Sequence, residues 1–311
     1  MCIRDRYWDE GFKGIKYANI VLSRIDAGTY KDEAERNAVL GTAYFQRAYR
    51  YYKLTHQFGN VPFLDREYTE PKLDFYSHDR WSILEQLKKD LEFAYEWVPE
   101  KVDRGRTSKA ACGVLLMKVA MCLGDFDRAI EIGKEIVANH PLMTARFTSN
   151  KNKPNTNLMH DLHSVEAKMD MSNTEGLMYV VSYPDVEGRD RIQTMRNATP
   201  YWAKGAAIVT PDGKTGTAIS PAAADKGTEI DNDLHVGRGI GSCRANNYLQ
   251  YDIWGEKEKN DLRSPNASGS WRRMTDLYYN DPGLKGKSEW YGKCLLYTSP
   301  SPRDAHESRM P

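Results

Sequence analysis

Residues 110–141 of this chain, AACGVLLMKVAMCLGDFDRAIEIGKEIVANHP, decide its fold. The apolar run that precedes Gly124 predicts one helix, because it continues without a helix breaker. The residues from Phe126 onward carry apolar side chains at three- and four-residue steps, which predicts a second helix. The Asn-His-Pro sequence at the end of the stretch supplies a stop signal. The stretch therefore predicts two helices that pack as an antiparallel pair.

This helix pair resembles one tetratricopeptide repeat, a unit that buries its apolar face by stacking on neighbouring units. We therefore expect the earlier part of the chain to extend the same stack. Three earlier helices are predicted from apolar side chains at helical spacing: Trp8, Phe12, Ile15, Ala18, Leu22 and Ile25; Ala38, Thr42, Phe45, Tyr49 and Tyr52; Trp81, Leu84, Leu87, Leu91 and Ala94. Thr107 or Ser108 is the expected N-cap of the helix that follows them. The expected shared core contains Phe45, Tyr49, Leu84, Leu91, Leu116 and Ile132.

The chain changes character after these helices. Residues 142–175 are rich in Asn, Thr, Ser and Met and show no helical period, and residues 184–246 are rich in Gly, Pro, Asp and Ala. Leu177–Tyr183 is the clearest strand candidate. A short helical stretch is expected around Asn247–Asp261. A loop as long as residues 184–246 either carries function or lacks order.

The sequence thus predicts a mainly α fold. A tetratricopeptide-like helical-repeat scaffold is expected at residues 7–140, and a ligand-binding half with long loops and little β structure is expected at residues 141–293. Together these two halves make up one predicted domain, residues 7–293.

The two ends of the chain carry a signal of a different kind. The peptide Cys294–Ser299 can be encoded by a short DNA segment whose reverse complement, read in another frame, encodes Met1–Asp5. Such a match is expected when a sequencing adapter is translated at both edges of a metagenomic DNA fragment. We therefore interpret residues 1–6 and 294–311 as adapter-derived and exclude them from the fold prediction. A natural Pro/Ser-rich tail is the alternative.

Composition and charge argue against several classes of protein. The formal net charge is +1, so there is no electrostatic case for a nucleic-acid partner. No apolar run approaches the length of a membrane-spanning helix. Cys112 and Cys122 would lie about 15 Å apart on one helix, too far for a disulfide. Because metal-type cysteine spacing is also missing, we expect the cysteines to be small buried hydrophobic residues.

Two patterns could hold metal ions, but each lacks part of the required ligand set. His160 and His163 place two imidazoles at a three-residue step, without a third Cys or His nearby in sequence for zinc. Asp231, Asn232 and Asp233 offer oxygen ligands for calcium, but the glycine and glutamate of an EF-hand loop are missing. Solvated histidines and an acidic loop are the simpler interpretations. We predict no metal site and no cofactor.

A series of short motifs, each weak by itself, occurs along most of the chain in a fixed order. They are Trp8-x2-Gly11-x2-Gly14, Ala43-Tyr44-Phe45-x2-Ala48, Phe58-Gly59-Asn60-Val61-Pro62, Leu87-x2-Asp90-Leu91, Gly105-Arg106-Thr107-Ser108, Gly124-Asp125-Phe126, Glu175-Gly176-Leu177-Met178-Tyr179 and Asn260-Asp261-x-Arg263. Over roughly residues 7–280 the chain resembles the SusD/RagB family of nutrient-binding lipoproteins. It departs from the family pattern at Gly41, where a leucine is usual, and in lacking the lipidated N-terminus and the C-terminal region.

The resemblance implies a protein that captures glycan or peptide nutrients on the outer face of a Bacteroidota outer membrane. Such a protein acts as a lid on a TonB-dependent, SusC-like transporter and performs no chemistry on its ligand. It is attached to the membrane only through a lipid anchor, which is missing from this piece of sequence. The resemblance thus implies a cell-surface location and two partners, an oligosaccharide or polysaccharide ligand and the transporter.

Sugar capture requires flat aromatic faces that stack on pyranose rings and polar side chains that bind hydroxyl groups. In the long loops, Tyr201 and Trp202 supply aromatic faces, and Arg244, Asn246 and Asn247 supply hydrogen-bonding groups. We predict these five residues as the ligand site. In the alternative interpretation, Trp202 only anchors its loop on the helices.

Two other classes of function stay open. A helical-repeat scaffold for a protein partner would need regular repeats and short loops, whereas this chain has a long second half rich in Gly, Pro and Asn. A carbohydrate-active enzyme would need two carboxylates about 5–10 Å apart across a cleft. Asp252, Glu256, Glu258 and Asp261 are the candidates, although the lysines among them favour a solvated helix face. We therefore predict a non-catalytic protein.

Overall fold

The computed structural model describes residues 3–152, 156–181, 208–217, 246–254, 260–264, 273, 275 and 277–295. Helices predominate in this part of the chain, which confirms the predicted mainly α fold. The chain packs as two units, Met1–Met143 with Met171–Val181, and Thr144–Asp170 with Ser182–Pro311. Among the described residues, no helix is both long and apolar enough to cross a membrane.

The helices of the first unit each pack against the next one in sequence. Its elements are α1 (Ile3–Arg24), a 3-10 turn (Ile25–Ala27), α2 (Glu33–Phe58), the antiparallel strands β1 (Val61–Pro62) and β2 (Ser77–His78), α3 (Arg80–Trp97), α4 (Lys109–Cys122) and α5 (Phe126–Asn139). Only three residues connect α4 to α5, and a short connection makes sequential helices antiparallel neighbours. The helix pair predicted from residues 110–141 is therefore confirmed as α4 and α5.

Side-chain caps explain where these helices begin. Asp32, Ser108 and Asp125 each accept a hydrogen bond from the backbone N–H three residues later, at 2.8, 3.1 and 3.2 Å. Each bond satisfies one of the N–H groups that the first turn leaves without a partner. Ser108 is thus confirmed as one of the two N-cap candidates for α4.

The core of the first unit lies along α2, which packs against both α1 and α3. Of the six residues predicted for this core, Tyr49 is half-buried, and five are at most 1% exposed: Phe45, Leu84, Leu91, Leu116 and Ile132. The predicted apolar stripe on α2 is wrong apart from Phe45. Its other members, Ala38, Thr42, Tyr49 and Tyr52, are only half-buried, and the buried side instead includes Gly41, Ala43, Ala48, Tyr51 and Leu54. A helix with neighbours on two sides buries more than one stripe.

Gly41 allows α2 and α3 to approach each other closely. A Cβ atom at this position would lie 3.1 Å from Val98 Cγ2 and 3.2 Å from the backbone Cα of Ala94. A leucine has no room there without a shift of the helices. The departure from the family pattern at Gly41 therefore has a packing reason.

The described cysteines differ in burial. Cys112 is fully buried in α4, and burial raises the pKa of its thiol to about 12, so the predicted hydrophobic role is confirmed. Cys122 is only half-buried, and its Sγ lies 3.6 Å from His56 Nε2. For Cys122 the prediction of a buried residue is wrong, because it lies in the last turn of α4.

A buried ion pair joins three helices of the first unit. Arg47 of α2 donates through Nη2 and Nε to Asp90 Oδ2 of α3, at 2.6 and 3.1 Å. Gln86 Nε2 donates to the other carboxylate oxygen at 2.9 Å. Arg47 Nη1 contacts Asn19 Oδ1 of α1 at 3.3 Å and the carbonyl of Asp65 at 2.9 Å. Burial raises the pKa of Asp90, while Arg47 and Gln86 favour its charged form.

Two tryptophans predicted for apolar helix faces are exposed. Trp81 is 46% exposed and Trp8 is 36% exposed. The Arg80 guanidinium lies 4.3 Å from the centre of the Trp81 ring, and the Trp8 ring contacts Phe58 edge to face at 5.0 Å. Both tryptophans lie near the start of a helix. Helical spacing alone does not decide whether a neighbouring element covers a side chain there.

The strand predicted at residues 177–183 is wrong for its described part, because residues 177–181 form no β-ladder. Side chains from the connection before α4 hold this segment instead. Ser108 Oγ donates to the carbonyl of Leu177 at 2.6 Å, and Arg104 Nη1 donates to the carbonyl of Gly176 at 3.2 Å. These carbonyl groups are therefore satisfied without a partner strand.

In the second unit, two short helices occupy residues that were predicted to lack helical structure. They are α6 (Leu158–His163) and α7 (Val165–Met169), and a side-chain cap begins each of them. Helices of this length are too short to show a helical period in sequence. The Arg146 guanidinium donates to both oxygens of the fully buried Asp161 carboxylate, at 2.7 and 2.8 Å, and thereby holds α6 in place.

Parts of both predicted adapter-derived ends have regular structure. Ile3–Arg6 belong to α1, and Cys294 forms an isolated β-bridge with Tyr278. Residues 296–311 lie outside the described part of the chain. The adapter origin of both ends stays a prediction, as do the domain boundaries at 7–140 and 141–293.

The burial of Leu91 predicts a large loss of stability when its side chain is shortened. Leu91→Ala should lower the free energy of unfolding by about 2–5 kcal/mol, because it leaves a cavity in the core. Denaturant unfolding followed by circular dichroism measures this change. Leu73→Ala is the matched control, since Leu73 is 98% exposed and its truncation should change the free energy little. Equal effects of the two substitutions would show that the core is assigned incorrectly.

Candidate functional site

Residues 63–76 connect β1 to β2 and are termed the aromatic loop. The rings of Tyr68 and Phe75 meet edge to face with centres 5.3 Å apart. Lys72 Nζ lies 5.5 Å from the centre of the Phe75 ring and 5.9 Å from that of Tyr68. Tyr76 is 77% exposed. The loop therefore exposes the side chains of Phe75 and Tyr76, with the half-buried Tyr68 and an ammonium group next to Phe75.

The start of the aromatic loop is fixed by hydrogen bonds from the helices. Asn19 Nδ2 of α1 donates to the carbonyls of Leu64 and Arg66, at 2.8 and 3.2 Å. Tyr51 Oη of α2 accepts a hydrogen bond from the Leu64 N–H at 2.6 Å, and burial raises the pKa of this tyrosine. The first residues of the aromatic loop are therefore held by the helices, whereas Tyr76 at its other end is exposed.

This arrangement suits a neutral ligand that is rich in hydroxyl groups. Aromatic faces stack on the apolar faces of sugar rings, and the charged and hydroxyl groups around them bind sugar hydroxyls. Sequence reasoning assigned no role to this loop. A usable signal was present, because Tyr68, Phe75 and Tyr76 are aromatic residues in a polar stretch without helical period. The same criterion pointed to Trp202.

The five predicted site residues are only partly described. Tyr201, Trp202 and Arg244 lie outside the described residues. Asn246 and Asn247 are both described and both exposed. The structure thus places two of the five residues side by side at the surface. The assignment of all five as a ligand site stays a prediction.

Asn246 has a local structural role. Its Oδ1 accepts a hydrogen bond from the Leu249 N–H at 2.9 Å, at the start of a π-helix, Tyr248–Asp252, that falls within the helical stretch expected from sequence. Asn247 makes no such side-chain cap bond. Tyr248, which sequence reasoning did not select, is 61% exposed beside the two asparagines.

The histidines considered as zinc ligands belong to α6. Asp161, which lies between His160 and His163 in sequence, uses both carboxylate oxygens to bind Arg146. Within the described ranges, no group of three or more His, Cys, Asp or Glu side chains could hold a metal ion. The calcium candidates at residues 231–233 lie outside those ranges.

Two of the four carboxylates considered for catalysis are described. Asp252 is exposed, and Asp261 accepts hydrogen bonds from Arg263 Nε and Nη2 at 3.0 and 2.7 Å. These bonds lower the pKa of Asp261 to about 2, so this carboxyl group carries no proton to donate near neutral pH. Glu256 and Glu258 lie outside the described residues.

Comparison with known proteins finds a family model that matches the helical part of the chain. A SusD-like family model, described as "Starch-binding associating with outer membrane", matches residues 4–120. Residues 4–120 of the chain are thus similar to SusD-like proteins. The matched region runs from α1 almost to the end of α4 and includes the whole aromatic loop.

Two curated relatives come from Formosa agariphila. SusD-like protein P2 is 32% identical over 145 residues, which are 45% of this chain and 28% of the relative. SusD-like protein P25 is 27% identical over 143 residues, 43% of this chain and 26% of the relative. The chain thus spans about a quarter of the length of these SusD-like relatives. A solved structure, a laminarin binding SusD-like protein, is 26% identical with a TM-score of 0.41, over 45% of this chain and 31% of that one.

The cap formed by Asn246 predicts different effects for two adjacent asparagines. Asn246→Ala should lower the free energy of unfolding of the second unit by about 0.5–2 kcal/mol, because it removes the bond to the Leu249 N–H. Asn247→Ala should have little effect, since this side chain makes no cap bond. Thermal unfolding of both variants measures the difference. If Asn247→Ala is the more destabilising substitution, the assigned cap is incorrect.

Proposed function

We propose that this protein captures glycans at the outer surface of the outer membrane and delivers them to a TonB-dependent, SusC-like transporter. The aromatic loop is the observation that carries this proposal. It combines exposed rings and a cation within the segment that matches a starch-binding family. A lipid anchor outside this piece of sequence would hold the protein at the membrane.

The geometry of the aromatic loop favours binding without chemistry. Stacking on exposed rings gives affinity for many sugar units, because every pyranose ring has an apolar face. Tyr68 Oη donates to Asp65 Oδ1 at 3.1 Å, so these two polar groups already bind each other within the loop. Capture and release at an exposed platform suit delivery to a second protein. We therefore propose a non-catalytic protein whose ligands are oligosaccharides or polysaccharides.

A protein-binding scaffold is the second candidate, and one observation favours it. Helix α5 presents Phe126, Ile130 and Val137 with 60%, 53% and 71% exposure. Exposed apolar side chains on one helix are typical of contacts with another protein. Such a contact is compatible with glycan capture, because delivery to a transporter also needs a protein interface.

Replacement of Tyr76 tests the glycan proposal. Tyr76→Ala should weaken oligosaccharide binding by about 1–3 kcal/mol, the loss expected for an aromatic residue at the centre of a binding site. Calorimetric titration with starch and laminarin oligosaccharides measures the affinity. Thermal unfolding should be nearly unchanged, because Tyr76 is 77% exposed.

Two further variants complete this experiment. Leu73→Ala is the matched control, since Leu73 belongs to the same loop and is 98% exposed but offers no aromatic face. Trp202→Ala tests the site predicted from sequence, with the same expected loss of about 1–3 kcal/mol. Unchanged affinity in Tyr76→Ala would exclude the aromatic loop, and unchanged affinity in Trp202→Ala would exclude Trp202. If the unaltered protein binds none of the glycans, the proposed function is wrong.

A further inference from the structure

A second surface of the first unit forms a groove between α1, α2 and the connection at residues 99–107. Its volume of about 740 Å³ is within the range of small-molecule sites. Apolar side chains that are accessible to solvent form much of its wall: Tyr17, Val21 and Val39 are 66%, 38% and 40% exposed. Val102 adds a further apolar contact surface.

Arg50 supplies a cation without an acidic partner in this groove. Its Nη1 donates to the carbonyl and to Oε1 of Gln46, at 3.1 and 2.7 Å. In the part of the chain that the structure describes, no carboxylate lies within 4.0 Å of its guanidinium nitrogens. Burial lowers the pKa of Arg50 from 12.5, but the group stays charged at neutral pH. A charge of this kind is costly to desolvate unless a ligand pairs with it.

The position of Arg50 is built into the helix packing. A Cβ atom at Gly14 of α1 would lie 1.5 Å from Arg50 Nε, so only glycine leaves room for this side chain. Gln46, which binds Arg50, also donates through Nε2 to Thr107 Oγ1 at 3.2 Å. The guanidinium is therefore held between α1, α2 and the third wall of the groove.

The chemistry of the lining narrows the ligand class. A guanidinium group matches a carboxylate geometrically, with two parallel hydrogen bonds. Glu35 lines the same groove, so a ligand with several negative charges is disfavoured. The apolar walls favour a ligand whose remaining surface is apolar, in contrast to the hydroxyl-rich ligand that suits the aromatic loop.

We propose that Arg50 anchors the carboxylate of a small ligand with an apolar body, bound between Tyr17, Val39 and Val102. Two kinds of ligand have a carboxylate and an apolar body: an aryl or alkyl carboxylic acid, and a short apolar peptide with a free carboxyl end. The site is separate from the aromatic loop and independent of glycan capture.

Matched acids and amides test the proposal on the full chain. Phenylbutyrate is compared with phenylbutyramide, and trileucine with trileucine amide, by calorimetric titration. The unaltered protein should bind at least one acid about tenfold more tightly than its amide, because a hydrogen-bonded ion pair is formed only by the acid. Preference for phenylbutyrate alone assigns the small-acid source, and preference for trileucine alone assigns the peptide source. Equal binding of acid and amide in both pairs, or no binding, overturns the proposal.

Variants locate the effect at Arg50. Arg50→Gln should remove the preference for the acid, while Arg36→Gln on the same helix should keep it, since Arg36 pairs with Asp26 instead. Gly14→Ala should also weaken acid binding by displacing the guanidinium, with Arg50 itself retained. If Arg50→Gln fails to fold, the same titrations are made with Arg50→Lys and Gly14→Ala. The proposal is overturned if both of these variants prefer the acid over the amide as strongly as the unaltered protein does. Glycan titration of the same variants should be unchanged, which separates this site from the proposed function.

Discussion

The buried pair of Arg47 and Asp90 is the interaction on which the rest of the first unit depends. The two side chains are only 6% and 4% exposed, so both charges have lost most of their water. Such a loss is tolerable only when the charges are close and their remaining hydrogen-bonding groups are satisfied. Asn19 and Gln86 and the carbonyl of Asp65 meet that condition here. The pair therefore fixes the positions of α1, α2 and α3 relative to one another.

The same network reaches the candidate site. Asn19, which accepts a hydrogen bond from Arg47, donates to the carbonyls of Leu64 and Arg66 at the base of the aromatic loop. The loop is thus held by the helical core rather than by a large sheet, since β1 and β2 are each two residues long. Beyond this base the side chains of Phe75 and Tyr76 are exposed to solvent. Arg50, in the groove, contrasts with Arg47. The helix packing holds its guanidinium group in place, but no carboxylate of the described residues pairs with it.

The helices could be predicted from sequence because the apolar spacing that indicates a helix lies within the helix itself. Helical spacing of apolar residues located α1 to α5, and five of the six predicted core residues are almost fully buried. Partners that are distant in sequence could not be predicted. Arg47 and Asp90 are 43 residues apart, and either residue alone looks like an exposed charge on a helix. Leu177 satisfies its carbonyl with Ser108 instead of a strand, which no local pattern reveals. The exposure of a side chain at the candidate site depends on which neighbouring elements cover it, and sequence spacing does not show this. The sequence therefore predicts a buried face for Trp81, which is exposed, and gives no prediction for Tyr76.

A double-mutant cycle on the buried pair tests most directly whether it organises the helical unit. The free energy of unfolding is measured for the unaltered chain, for Arg47→Met, for Asp90→Leu and for the double variant. Each single substitution should cost about 3–5 kcal/mol, because it leaves one buried charge without its partner. The double variant should be less destabilised than the sum of the two, since it removes both charges together. Strictly additive losses, or single losses below about 0.5 kcal/mol as is usual for exposed pairs, would contradict a central role for this interaction.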